Sequence, residues 1–288
     1  MSALLSAKHR FVRVLAVGLL LTAGVGLWFS REPATLRVWF ADVGQGDGII
    51  IRTPSRDTLV VDGGPHKDFE QEVDSHLPVT DRSIDLLVAT HADADHITGL
   101  AGLVESGRVR NVLINRDTKS TKIYQRLLAA IARQKVPVIE AQAGQEFSFG
   151  EVHVRVLWPT ATGLVKAKES NERSIVVKVS YGDQDILLTG DAPDTAEVQL
   201  LEQGSDLGVE ILKIGHHGSA HSSTVGFLQA VQPELAIISV GAKNRYGHPA
   251  PRVLADLERL GIPSLRTDQH GDILLTCSKI ACKTHTDR

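Results

Sequence analysis

The run IDLLVAT, residues 84–90, ends directly on HADADH, residues 91–96, and no other stretch restricts the fold as strongly. A short apolar run closed by a turn reads as a buried strand. Two histidines and two aspartates then follow within six residues, separated only by alanine. The strand delivers His91 and Asp93 in a turn, two positions apart and able to face one way, while Asp95 and His96 open a helix. The alanines let the backbone close tightly around an ion. A helix cap accounts for one aspartate. It leaves both histidines and the other aspartate without a purpose, so the cluster reads as a metal site.

Similar residues end other apolar runs. Asp62 closes LVVD, Asp191 follows DILLTG, and His216 and His217 follow EILKIG. Each alone is an ordinary turn. Four such clusters in one chain point to a single sheet edge that carries a site.

The 288 residues suffice for a well-buried core. TLRVWF, GIIIR and TLVVD read as an antiparallel meander. Strands then alternate with helices expected over residues 96–105 and 121–134. The second half repeats the plan, with EVHVRVLWP, SIVVKVS and DILLTG as strands before DTAEVQLLEQ, a helix. VEILKIG, a helix near 222–231, LAIISVG, a helix over Pro251–Leu260 and GDILLT complete it. The order predicts an α/β domain of two sheets packed face to face, helices outside, with an internal pseudo-repeat. Residues 159–173 read as an irregular, mobile loop.

The N-terminus is different in kind. Lys8, Arg10 and Arg13 precede Val14–Phe29, a run without charge. This reads as a membrane anchor or a signal peptide, with the uncleaved anchor favoured. The run spans roughly 24 Å of a hydrocarbon core about 30 Å thick. The expected division is therefore residues 1–30, anchor or signal, and 31–288, the folded domain. Positive charge stays inside, so the domain is expected beyond the inner or cytoplasmic membrane, or secreted. Beyond position 30 stand 28 basic and 34 acidic residues, a net charge of −6. That excludes a globally basic surface for nucleic acid; a polyanion needs a local patch or bound metal. Cys277 and Cys282 either staple a terminal hairpin in an oxidising compartment or are two independent thiols.

The pattern H-x-[HD]-x-D-H, with a later strand-end aspartate and histidine, resembles the metallo-β-lactamase superfamily. DVGQGDGIII, LLVATHADADHITGL, LKIGHHGSAHSS, ISVGAKNRYGHP and RTDQHGDI together resemble the metallo-hydrolase domain of ComEC-type competence proteins, over about residues 35–276. The resemblance implies an αββα four-layer sandwich. It also implies a dinuclear metal-dependent hydrolase acting on phosphodiesters, as a nuclease on DNA during uptake. Only one candidate span stands where those proteins have a polytopic channel, so no DNA pore is expected.

Carried over by residue, His91 and Asp93 would hold one divalent ion. Asp95 and His96 would hold the other, Asp191 would bridge, and one of His216 and His217 would complete the second, with His216 nearer the strand end. Asp62 would orient ligands, while Gln45 and Asp47 would reach the site from the first turn. Ser219 would contact phosphate or water. His248 would serve as leaving-group acid or phosphate ligand beside Tyr246, and Asp95 or Asp191 would relay a proton. His153, the only histidine between HADADH and Asp191, is expected to face solvent or core, and His221 and His270 to stand by. Asp93 offers a hard oxygen where imidazole is commoner, which favours manganese over zinc. The alternatives are the same metals on a lactone, a β-lactam or another ester, or a catalytically idle binding module.

Overall fold

The structure, a computed structural model, describes residues 35–288 except 116 and 118. The anchor expected over residues 1–30 lies outside the described residues. Among the described residues no helix is long and apolar enough to cross a membrane.

β1 (Leu36–Phe40), β2 (Gly48–Arg52) and β3 (Thr58–Gly63) form an antiparallel meander. β4 (Leu86–Ala89), β5 (Val112–Ile114) and β6 (Val138–Glu140) then add in parallel. The second half runs the same course. β7 (Glu146–Phe149), β8 (Val152–Trp158), β9 (Val176–Tyr181) and β10 (Gln184–Leu188) are antiparallel neighbours. β11 (Ile211–Lys213), β12 (Leu235–Ile238) and β13 (Ser264–Arg266) follow in parallel. β14 (Ile273–Cys277) returns beside β1, and β15 (Cys282–Thr286) closes a hairpin on it. Among the described residues the result is one sheet of eight strands and one of seven.

Alternate residues of the central strands serve two cores. Val38, Ile49, Val61 and Val88 pack between the sheets against Val154, Val177, Ile186 and Ile211. Their neighbours Ile50, Val60 and Leu87 turn the other way, under helices Phe69–His76, Leu100–Glu105 and Lys122–Gln134. Leu187, Leu212 and Ala236 do the same under helices Asp194–Glu202, Val225–Val231 and Pro251–Leu260. Strands covered on both faces need no polar alternation, which is why GIIIR and the run before His91 are continuously apolar. This is the expected αββα sandwich.

Two local expectations change, and one open alternative is resolved. The helix expected over 96–105 is two, Ala94–Ile97 and Leu100–Glu105, parted at Gly99. A Cβ there would come within 2.2 Å of the Gly63 carbonyl oxygen, so the two backbones pack directly. Residues 159–173 are not irregular: they hold a helix, Ala161–Lys166, and a 3-10 turn, Asn171–Arg173. Thr160 caps that helix by accepting from Gly163 N at 2.9 Å, and the buried Trp158 indole donates to Glu172 O at 2.9 Å. Finally, Cys277 and Cys282 are joined as a disulfide across β14 and β15.

Candidate metal centre

The C-terminal ends of β3, β4, β10 and β11 meet at one edge of the sandwich. Asp62 lies at the end of β3, His91–His96 follow β4, Asp191 follows β10, and His216 and His217 follow β11. Asp47 enters from the turn before β2, where Gly46 has φ 142° and a Cβ would lie 2.1 Å from the Asp95 carbonyl oxygen. Only glycine permits that approach. Asp62, His216 and His217 all have left-handed backbones, with φ of 58°, 50° and 54°. Non-glycine residues adopt this conformation only where their surroundings impose it.

Three imidazoles are oriented by one rule. His91 Nδ1 is 3.0 Å from Thr90 Oγ1, whose own proton goes to Asp62 Oδ2 at 2.6 Å, so the hydroxyl oxygen accepts from His91. His96 Nδ1 donates to Asp62 Oδ2 at 2.7 Å, and His217 Nδ1 donates to Ser239 O at 2.9 Å. Each Nδ1 is thereby engaged. Each Nε2 is buried, without a hydrogen-bond partner, as is Asp191 Oδ1. Buried polar atoms left in this way call for a ligand, and a second partner on Nδ1 is the usual support of a metal-binding histidine.

Asp191 stands at the centre. Its Oδ1 is 3.2 Å from His96 Nε2, and its Oδ2 is 3.5 Å from His217, 3.7 Å from His216 and 3.9 Å from His91, each measured to Nε2. Asp95, His96, Asp191 and His217 offer one atom each, all within 4.8 Å of one another, and can hold a cation. His91 and His216 face the same carboxylate, so Asp191 can bridge two positions. Protons compete with cations for this set. Burial disfavours charge on His96 and His217, yet Asp191 lifts both well above the ordinary 6.5. Burial pushes Asp191 up, but His217 and His96 draw it well below the usual carboxylate range. His91 is lowered, by burial and then by the charge of His96.

Lys213 and Asp47 form a buried pair beneath the centre. Lys213 Nζ meets Asp47 Oδ2 and donates to Gly190 O at 2.9 Å, with its side chain fully buried. Burial raises the Asp47 carboxyl, but Lys213, His217 and His96 together outweigh it and lower it to about 2. Asp47 Oδ1 lies 3.5 Å from His217 Nδ1, so the pair places a negative charge beside that ring. Sequence reasoning missed Lys213; its one signal is a lone lysine inside the apolar run EILKIG.

Of the expected residues, His91, Asp95, His96, Asp191, Asp62 and Asp47 come together as anticipated. His217, and not His216, joins the four-residue group: the left-handed backbone after β11 buries His217 and leaves His216 at the rim, 3.2 Å from Asn171 Nδ2. Asp93 stands outside that group, and its carboxylate meets the Lys119 ammonium. Gln45 Oε1 accepts from Gly241 N at 3.2 Å and so serves the loop after β12. Ser219 is buried and its Oγ accepts from His221 N at 3.3 Å within the turn after β11. His248 lies ring to ring 5.7 Å from His216, with the exposed Tyr246 stacked on it at 5.8 Å. Asn244 braces their loop, accepting from His248 N at 3.0 Å and donating to Gly241 O at 2.8 Å. His153 is exposed beside Ser148, and His270 accepts from Arg266 N at 3.1 Å.

Residues 41–241 match the family described as the Metallo-beta-lactamase superfamily. ComE operon protein 3 of Bacillus subtilis is 30% identical over 249 residues, 81% of this chain and 32% of that one. Competence protein ComA of Neisseria gonorrhoeae is 32% identical over 242 residues, 84% of this chain and 32% of that one. The chain spans about a third of the length of these curated relatives. Among solved structures, the metallo-beta-lactamase fold protein YhfI from Bacillus subtilis shares the fold at a TM-score of 0.57 and 9% identity, covering 84% of this chain and 100% of that one.

Proposed function

The chain belongs to the metallo-beta-lactamase superfamily, and from that premise we propose that it is a phosphodiesterase that cuts DNA with two divalent ions, manganese or zinc. The observation that carries this reading is the set of buried, unpartnered Nε2 atoms of His91, His96 and His217 around Asp191. Bound there, two cations supply a hydroxide near neutral pH and stabilise charge on a phosphoryl oxygen. Asp62, Thr90 and Ser239 keep the rings turned inward. Asp95, with a third of its side chain exposed, connects the centre to solvent and can pass a proton outward. Burial and then His216 keep His248 below the ordinary 6.5, so a neutral ring at the rim offers an N–H to a phosphate oxygen or leaving group.

The likeness to a protein named for competence, ComA of Neisseria gonorrhoeae, supports DNA as the substrate. With a net charge of −6 beyond position 30, attraction to DNA falls to the ions and to local contacts. Residues 1–30 anchor the domain outside the cytoplasm in this reading, and the Cys277–Cys282 disulfide suits such a compartment. The test is cation analysis of the purified protein, then incubation of the manganese-loaded form with linear DNA and with a generic phosphodiester. Cleavage of both supports the proposal, and cleavage of the generic ester alone removes DNA. Cleavage of neither overturns it in favour of another ester or a binding module. Asp191→Asn, which keeps the shape but loses the bridging charge, is expected to lose most bound metal and activity.

A further inference from the structure

Asp93 lies in the same turn as His91 and Asp95, yet its carboxylate meets the ammonium of Lys119. Both ends of the pair touch solvent, with 38% of the Lys119 side chain and 28% of the Asp93 side chain exposed. The two border a cavity of about 380 Å³ whose wall also includes Asn171, Asp194, His216 and His221. His216 Nε2 is 3.7 Å from Asp191 Oδ2, so the cavity opens onto the metal centre. Among the described residues that line it, Lys119 is the single lysine or arginine, set among the carboxylates of Asp93, Glu169, Glu172 and Asp194 and neutral polar side chains. Among the described residues that line the cavity, an anionic substrate entering here meets no second lysine or arginine.

We infer that Lys119 is the phosphate-recognition residue of this site, held in reserve by Asp93 until a divalent cation takes that carboxylate. The inference rests on the phosphodiesterase reading above. An ion pair this exposed is a weak contact, about two- to fivefold in an equilibrium constant. It does not hold Asp93 against a divalent ion. Asp93 stands two residues from both His91 and Asp95 in the turn after β4, so the chain presents all three to the same edge of the sandwich. Once Asp93 turns to that cation, the ammonium is left beside an acidic cavity and takes an anionic oxygen as its new partner. Stranding it meanwhile costs little, because over a third of the side chain reaches water. Cation loading and phosphate binding are thus coupled through one exchange of partners.

Lys119→Met, Lys119→Arg, Asp93→Asn and the double variant Asp93→Asn with Lys119→Met test this in two ways. Manganese titration of the metal-free proteins, followed by the spin signal of the free ion, needs no activity. Lys119→Met is expected to tighten the weaker manganese site about two- to fivefold, as its competitor is removed. The double variant is expected to match Asp93→Asn. Inorganic phosphate is then titrated into the manganese-loaded proteins: Lys119→Met should bind it about tenfold more weakly, and Lys119→Arg should retain most of the affinity. Unchanged manganese and phosphate affinities in Lys119→Met would reduce the pair to a surface ion pair. Weaker manganese binding in that variant would overturn the exchange, because Lys119 would then support the centre. Failure of the wild type to cleave any phosphodiester would sink the phosphodiesterase reading alone, and the two titrations would still decide Lys119.

Discussion

Asp62 Oδ2 accepts the Nδ1 proton of His96 at 2.7 Å, with both side chains wholly removed from solvent. The bond sets the ring so that Nε2 lies 3.2 Å from Asp191 Oδ1. Asp62 also takes the amide of Thr90 at 2.9 Å and its hydroxyl at 2.6 Å, so one carboxylate steers His96 directly and His91 through Thr90.

Asp62→Asn keeps this shape, and asparagine tolerates the left-handed backbone at φ 58°. The orienting charge is lost, and cation affinity is expected to fall about 10- to 100-fold while the protein still folds. Competition titration against a chelating dye reads the change. A fall of less than about twofold would mean that Asp62 does not orient these rings.

Lys213→Met strands Asp47 in the interior without its counter-charge. Breaking a buried pair on one side costs about 3–5 kcal/mol, and denaturant unfolding measures it. Replacing both groups, as Asp47→Asn with Lys213→Met, is expected to recover most of that loss. A single-variant cost below about 1 kcal/mol would show that the pair is not what sustains this region.

Cation binding is expected to strengthen with pH. His96 and His217 are held protonated well above the ordinary 6.5 in the free protein, chiefly by Asp191 against the opposing effect of burial. Because their folded values are raised, the stability they contribute to the free protein is fully present below 6.5 and fades as pH rises through the raised values. A divalent ion must expel those protons. Calorimetry at neutral pH in two buffers of different ionisation enthalpy should therefore show proton release. Identical heats in both would mean that the two rings are already neutral.

Asp93→His replaces a hard oxygen with a borderline nitrogen and is expected to move preference from manganese toward zinc. Activity and occupancy are followed with each metal in turn. An unchanged preference would show that residue 93 never reaches the metal and keeps Lys119 as its standing partner.

A reporter fused after Arg288 is expected to behave as exported, given Lys8, Arg10 and Arg13 before an uncharged run. Activity of a reporter that works only in the cytoplasm would reverse the proposed orientation.

Much of this protein is written locally. Continuous apolar runs record burial on both faces of a strand, and ligand residues directly after them record which ends of those strands carry the site. Asp62, His91, Asp95, His96 and Asp191 are legible for that reason, as is the order of the two halves. Three features are not local. His216 and His217 are adjacent and chemically equal; the backbone at φ 50° and 54°, imposed by packing after β11, selects the inward one. Lys213 looks like an interruption of a strand until the β1–β2 turn brings Asp47 against it. Asp93 matches its neighbours in sequence but meets Lys119, which arrives from the chain after β5. Residue type and spacing fix which groups can bind a cation, whereas their direction depends on backbone dihedrals and counter-charges that only the assembled sandwich supplies.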